Sequence, residues 1–210
     1  FSMVATKGRA RRETLARWGR GSILPIAAVY GGNASGKTSF AKALDFVRNL
    51  VLNDVGPSGL IPVRPCLTAN ASRKAPSGFS LSFLADERLY RLTFEVTEHA
   101  VVSEKLERLT TRGTIAEDGI VYSRKGDAVD VGLRRPSEQL SLATHAIVPH
   151  RLFLSIASQL NAGETLPAFK WFADTLLIVT PNTHWARLDK LCGGRFEDKV
   201  TNLLSRFAAG

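Results

Sequence analysis

The chain has 210 residues, 44% of them hydrophobic and 22% charged, with a formal net charge of +9. This composition fills one large core, or one domain and part of another, and excludes a disordered polymer. Cys66, Cys192, His99, His145, His150 and His184 are too scattered for a zinc site, no apolar run reaches the ~18 residues of a membrane span, and the positive excess suits an acidic partner (nucleotide, DNA or RNA, or an acidic protein) as well as it suits a merely soluble basic protein.

In chain order, "FSMVAT" (1–6) is short and apolar and predicts a strand. It lacks the long apolar region of a signal peptide, and two lone cysteines fit a reducing compartment, so a cytoplasmic protein is expected. The absence of an initial Met leads us to expect part of a longer protein. "KGRARRETLARWGR" (7–20) gathers Lys7, Arg9, Arg11, Arg12, Arg17 and Arg20, a run that steers polyanions or forms a solvated loop. "ILPIAAVY" (23–30) is continuously apolar and predicts a strand buried on both faces. Residues 37–53 show helical periodicity, with Phe40, Leu44, Val47 and Val51 expected to face a sheet. Gly56, Pro57 and Gly59 close that helix.

After an irregular stretch (60–78), three runs predict an antiparallel meander. In 79–85, Phe79, Leu81, Phe83 and Ala85 share one face. In 88–96, Tyr90, Leu92, Phe94 and Val96 do the same, and 101–109 is a weaker third strand. Residues 119–124 and 128–133 form a further hairpin around Lys125, Gly126 and Asp127. Residues 151–161 fit strand or helix equally, 164–176 predict a helix, 176–180 a short strand, and 195–207 an amphipathic helix.

The pattern with most chemical content is "GGNASGKTS" (31–39). Gly31, Gly36, Lys37 and Thr38 satisfy G-x-x-x-x-G-K-[ST], the P-loop spacing. Glycines let successive backbone N–H groups turn inward onto a phosphate, and a helix starting near Lys37 directs its positive end at the same place. The expected nucleotide contacts are Gly31, Gly32, Asn33, Ala34, Ser35, Gly36, Lys37, Thr38 and Ser39. Lys37 is assigned to the β- and γ-phosphates and Thr38 to Mg²⁺. Hydrolysis normally needs a further acidic residue and a group that positions water. The acidic candidates, Asp86 and Glu87, fit a hairpin turn better than a metal site. The glycines of "LCGGR" (191–195), before the last predicted helix, fit a loop and cap better than a phosphate site.

Asn33 and Ser35 give the loop a G-x-N-x-S-G-K-[ST] form that resembles ABC-type ATPases of the Rad50, SMC, RecF and OLD group. The longer stretches "FSMVAT", "LPIAAVYGGNASGKT", "IPVRPC", "FSLSFLADERLYRLTFEV" and "RLFLSIASQLN" resemble the AAA15 group of ABC-like ATP-binding proteins over most of residues 1–180. The resemblance implies an α/β P-loop NTPase fold: an ABC-ATPase-like nucleotide-binding lobe with an antiparallel meander (1–160), then the start of a helical lobe (161–210). It implies ATP and Mg²⁺ as ligands and self-association as an ATP-sandwich dimer. Gln159 matches the family's Q-loop glutamine, which touches Mg²⁺ and the attacking water. It also implies control of an effector, a Toprim-type or other nuclease, in anti-phage defence or DNA repair. The family's signature motif, Asp-Glu pair and switch histidine are not found in this sequence. ATPase activity is therefore expected of a longer protein, and the chain by itself should hold ATP better than it cleaves it. A nucleotide-binding scaffold that oligomerises without turnover is the alternative; a small-molecule kinase fits the antiparallel insertion less well.

Overall fold

A computed structural model describes residues 1–5, 16–18, 21–24, 26–33, 35–52, 59–63, 75–110 and 113–179. Ala34, Cys66, Cys192, His184, most of the basic stretch 7–20, the glycines of 191–195 and the expected helix 195–207 lie outside these residues. The fold is mixed α/β, built on a five-stranded antiparallel sheet.

Two short strands, β1 (Ala16–Trp18) and β2 (Gly21–Ile23), pair antiparallel, and Val4 adds a bridge to Ile23. The expected strand at 1–6 is thus reduced to this bridge and two flanking bonds, Ala5 N–H to Ser22 O and Leu24 N–H to Met3 O. The expected buried strand at 23–30 is not formed. Residues 26–30 are exposed and belong to no strand, with Ile26, Val29 and Tyr30 facing outward. An apolar run becomes a central strand only when strands flank it, and among the described residues none lies beside 26–30.

Helix α1 (Lys37–Val51) follows the periodicity of its sequence. Val47, Leu50 and Val51 are buried in the core. Phe40, expected on the same face, is 41% exposed and meets the Phe1 ring at 5.3 Å. It sits in the first turn, where α1 has not yet reached the sheet.

The sheet consists of β3 (Ser77–Ala85), β4 (Arg88–Val96), β5 (Val101–Leu109), β6 (Ile115–Lys125) and β7 (Ala128–Asp130), each paired with its neighbour in sequence. Asp86 and Glu87 form the β3–β4 turn at φ 45° and 59°. Two left-handed residues make the tight turn whose twist suits a hairpin, so the acidic pair is structural. Register places Phe79 opposite Phe94, Leu81 opposite Leu92 and Phe83 opposite Tyr90. Next, Phe94 faces Glu104, and Leu92 faces Leu106. This inner face carries the core, and each fully buried large apolar side chain contributes roughly 1.5–3 kcal/mol.

Helices α2 (Glu138–Ala143), α3 (Phe153–Gln159) and α4 (Leu166–Lys170) follow, and α4 runs into a π-helical segment, Trp171–Thr175. The wider turn brings two consecutive rings onto Phe83. Trp171 stacks on it at 4.5 Å and Phe172 meets it edge-on at 5.0 Å. Residues 176–179 form no strand, contrary to expectation; the carbonyl of Leu176 accepts from Arg48 instead. No described helix is long and apolar enough to cross a membrane.

Candidate phosphate-binding site

The loop before α1 is shaped by its backbone. Ser35 N–H donates to Gly32 O at 3.3 Å, forming a turn. Gly36 then adopts φ 90°, ψ 3° and caps α1. A Cβ is strained at that φ, which accounts for the glycine. Gly31 is crowded by a neighbouring side chain instead. A Cβ there would lie 2.7 Å from Ser35 Oγ, whereas one on Gly32 would meet nothing within 4 Å. The first helical bond runs from Phe40 N–H to Gly36 O at 3.0 Å.

The start of α1 has no side-chain cap and no acidic residue in its first turn. Among the described residues no carboxylate meets its leading N–H groups or the positive end of its dipole, which is the arrangement that holds an anion. Lys37 adds a full charge. Its Nζ donates to Gly31 O at 2.6 Å, Gly32 O at 2.7 Å and Ser35 Oγ at 3.3 Å. All three contacts are exposed, so exchanging one for a phosphate oxygen costs little. Thr38 and Ser39 present exposed hydroxyls in the same turn, and Asn33 is exposed on the loop. A glycine-shaped turn, an ammonium and an exposed hydroxyl at a helix start fit a nucleotide polyphosphate with Mg²⁺. Among the described residues no cluster of His, Cys, Asp or Glu could hold a metal by itself.

The structure therefore gathers Gly31, Gly32, Asn33, Ser35, Gly36, Lys37, Thr38 and Ser39. Gln159 is the exposed last residue of α3, and its Oε1 accepts from Arg151 Nη2 at 2.8 Å. No described hydrogen bond joins it to the loop.

Two sets of contacts behind the site escape sequence reasoning. The first is a cluster around Glu104, which is 1% exposed on β5. Its carboxylate accepts from Tyr122 OH at 2.6 Å, Phe153 N–H at 2.5 Å and Leu154 N–H at 3.0 Å. It thereby caps α3, whose own cap residue, Leu152, has no side-chain bond to give. Arg124 lies 3.9 Å away and donates to the carbonyls of Gly126, Arg151 and Val148. Burial pushes the Glu104 carboxyl above its ordinary pKa, against the bonds from Tyr122, Leu154 and Phe153 and the charge of Arg124. Burial, then the neighbouring Glu104, pushes the Tyr122 hydroxyl well above its usual value. The sequence signal was Glu104 itself, a charge at a core-facing register position of the weaker strand.

The second set holds α1. Ser155 Oγ on α3 donates to Val51 O at 2.5 Å. Arg48 donates through Nε to Leu176 O at 2.9 Å and through Nη2 to Ala173 O at 3.3 Å. These bonds link residues more than 100 positions apart, so no local pattern announces them.

No curated protein and no solved structure matches the chain. Residues 26–131, just over half of it, match the family described as "AAA domain, putative AbiEii toxin, Type IV TA system". That span contains the loop 31–39, α1 and the sheet from β3 to β7. The chain belongs to this AAA-domain family, and its loop and helix are those of a P-loop ATPase-type domain.

Proposed function

We propose that this chain binds ATP with Mg²⁺ through residues 31–39 and forms the nucleotide-binding part of an ATPase head. The observation that carries this reading is the uncapped start of α1 behind a glycine-shaped loop, with Lys37 lying over it on exposed, exchangeable bonds. The backbone N–H groups of the loop and Lys37 would hold the phosphates, and Thr38 would hold the metal, with Ser39 beside it. Mg²⁺, when bound, neutralises phosphate charge and orients the terminal group.

The resemblance to ABC-type heads supports a finer reading. Two copies would close on two nucleotides, and hydrolysis would release the clamp. Gln159 would serve the metal and the attacking water, and the head would control an effector such as a nuclease. The family's description names a toxin of a toxin–antitoxin system, which supports a defence setting of this kind. A second reading, nucleotide binding without turnover, is favoured by the place of Asp86 and Glu87, which form the β3–β4 turn.

Titration of the full chain with a fluorescent ATP analogue tests the site. Lys37→Ala should weaken binding about 10- to 150-fold, equivalent to one charged hydrogen-bonding group of ~1.5–3 kcal/mol, and leave thermal stability near wild type. Unchanged affinity in that variant would refute the assignment. Phosphate release with Mg²⁺ separates the two readings, and sedimentation with and without ATP tests the dimer.

A further inference from the structure

Helix α1 is gripped unevenly. Thr38, Ser39, Phe40, Ala41 and Lys42, next to the loop, are exposed. Val47, Leu50 and Val51, at the other end, are buried. The buried end is also tied twice by polar bonds: Val51 O to Ser155 on α3, and Arg48 to the carbonyls of Ala173 and Leu176. Lys37 and Arg48 are eleven residues apart, about 16 Å along the helix axis. A helix is stiff over that length, so a pull on the loop arrives at Arg48 as a tilt or a shift of the whole element.

What Arg48 holds is unusual. The segment Trp171–Thr175 is π-helical and closes with Leu176 N–H to Trp171 O at 2.9 Å, after which Leu176 turns extended. Such segments are uncommon and often lie at functional positions. Carbonyls at a helix end attract a cation, and the guanidinium seals this end with two of its donors. Arg48 therefore decides whether the residues around 176 move with α1 or independently of it.

We infer that α1 is a lever, with the phosphate loop as its input and Arg48 as the coupling that passes nucleotide state to the π-helical segment and residues 176–179. This rests on the nucleotide reading of the loop. Binding that shifts α1 must carry the carbonyls of Ala173 and Leu176 along or break two bonds to a charged donor. The π-helical bond at Leu176 then responds to an event at the far end of the helix.

Hydrogen–deuterium exchange of the full chain, with and without a non-hydrolysable ATP analogue and Mg²⁺, tests the coupling. In the wild type, peptides over 31–40 and over 171–177 should both slow, the second roughly five- to tenfold, the lower range of ordinary coupling between sites. A peptide over 88–96, in the sheet, should not change. In Arg48→Ala, residues 31–40 should still be protected, with affinity within about twofold of wild type, while 171–177 ceases to respond. Arg48→Gln, which keeps the stem and loses the charge, serves if circular dichroism shows Arg48→Ala unfolded. The inference is overturned if 171–177 ignores the nucleotide while 31–40 is protected, or if 171–177 still responds without Arg48. Absence of protection at 31–40 in the wild type would overturn the nucleotide reading itself, and this inference with it.

Discussion

Removing the Glu104 carboxylate should be the most destabilising single change in the described residues. Glu104→Ala strips the acceptor from three donors at once: Tyr122 OH, Phe153 N–H and Leu154 N–H. All are buried, and each orphaned group costs about 1–3 kcal/mol. Arg124 limits the damage, since its guanidinium keeps the carbonyls of Gly126, Arg151 and Val148. The expected loss is therefore ~4 kcal/mol, counting three moderate penalties and some relaxation. That is a large part of a typical stability of about 5–15 kcal/mol. For a chain of this size it lowers the melting temperature by roughly 8–16 °C. Urea and thermal melts followed by circular dichroism measure it. A double-mutant cycle with Tyr122→Phe gives the stricter test. Tyr122→Phe alone should cost about 1 kcal/mol, but in the Glu104→Ala background it should recover roughly 1 kcal/mol, because it removes a hydroxyl left buried without an acceptor. Additive losses, or Glu104→Ala melting within a few degrees of wild type, would refute the shared network.

Three further outcomes are expected. Gly31→Ala should weaken ATP-analogue binding while Gly32→Ala leaves it nearly unchanged, because only the first new methyl meets Ser35 Oγ; titration of both variants decides. The Glu164 carboxyl accepts from Ser137 N–H and Oγ at 2.7 Å each. Burial raises its pKa, but these bonds, its own backbone and Arg108 together bring it below the unfolded value of 4.5. Its contribution to stability is thus present above 4.5 and lost as the pH falls through the lower folded value; melts from pH 7 to pH 3 should show this slope reduced in Glu164→Gln. Finally, Lys and Arg balance Asp and Glu among the described residues, so the excess of +9 is carried by others such as Arg9, Arg11, Arg12, Arg64, Arg73 and Lys74. If these bind DNA, affinity should fall with salt at a log–log slope of roughly −0.9 per phosphate contact, and replacing Arg9, Arg11 and Arg12 with Gln should flatten it. A slope that is flat from the start would exclude phosphate contacts.

Much of this architecture is written locally. Alternation over 79–85 and 88–96 correctly assigned which side chains face the core, because one face of that sheet is covered and period two is then enforced. The loop and α1 were legible for a similar reason, since the glycines and the 3.6-residue repeat act over a few positions. What failed depended on distant partners. The run 23–30 has the composition of a central strand but gains no flanking strands. Residues 151–161 could not be assigned because the group that caps α3 is Glu104, on another strand. Phe40 shares the helical repeat yet lies beyond the reach of the sheet. The Arg48 contacts are invisible in the sequence for the same reason.

The strictly sequential order of the sheet has a consequence for how the molecule assembles. Each strand pairs with the next across a short connection, so the meander needs little loop closure and should form early. The ties on α1 close far larger loops, 104 residues for Val51 with Ser155 and 128 for Arg48 with Leu176. During synthesis the sheet can fold while the phosphate loop is still untethered. The helix bearing that loop is fastened only after residue 176 has emerged, so a firmly seated nucleotide site should form later than the meander.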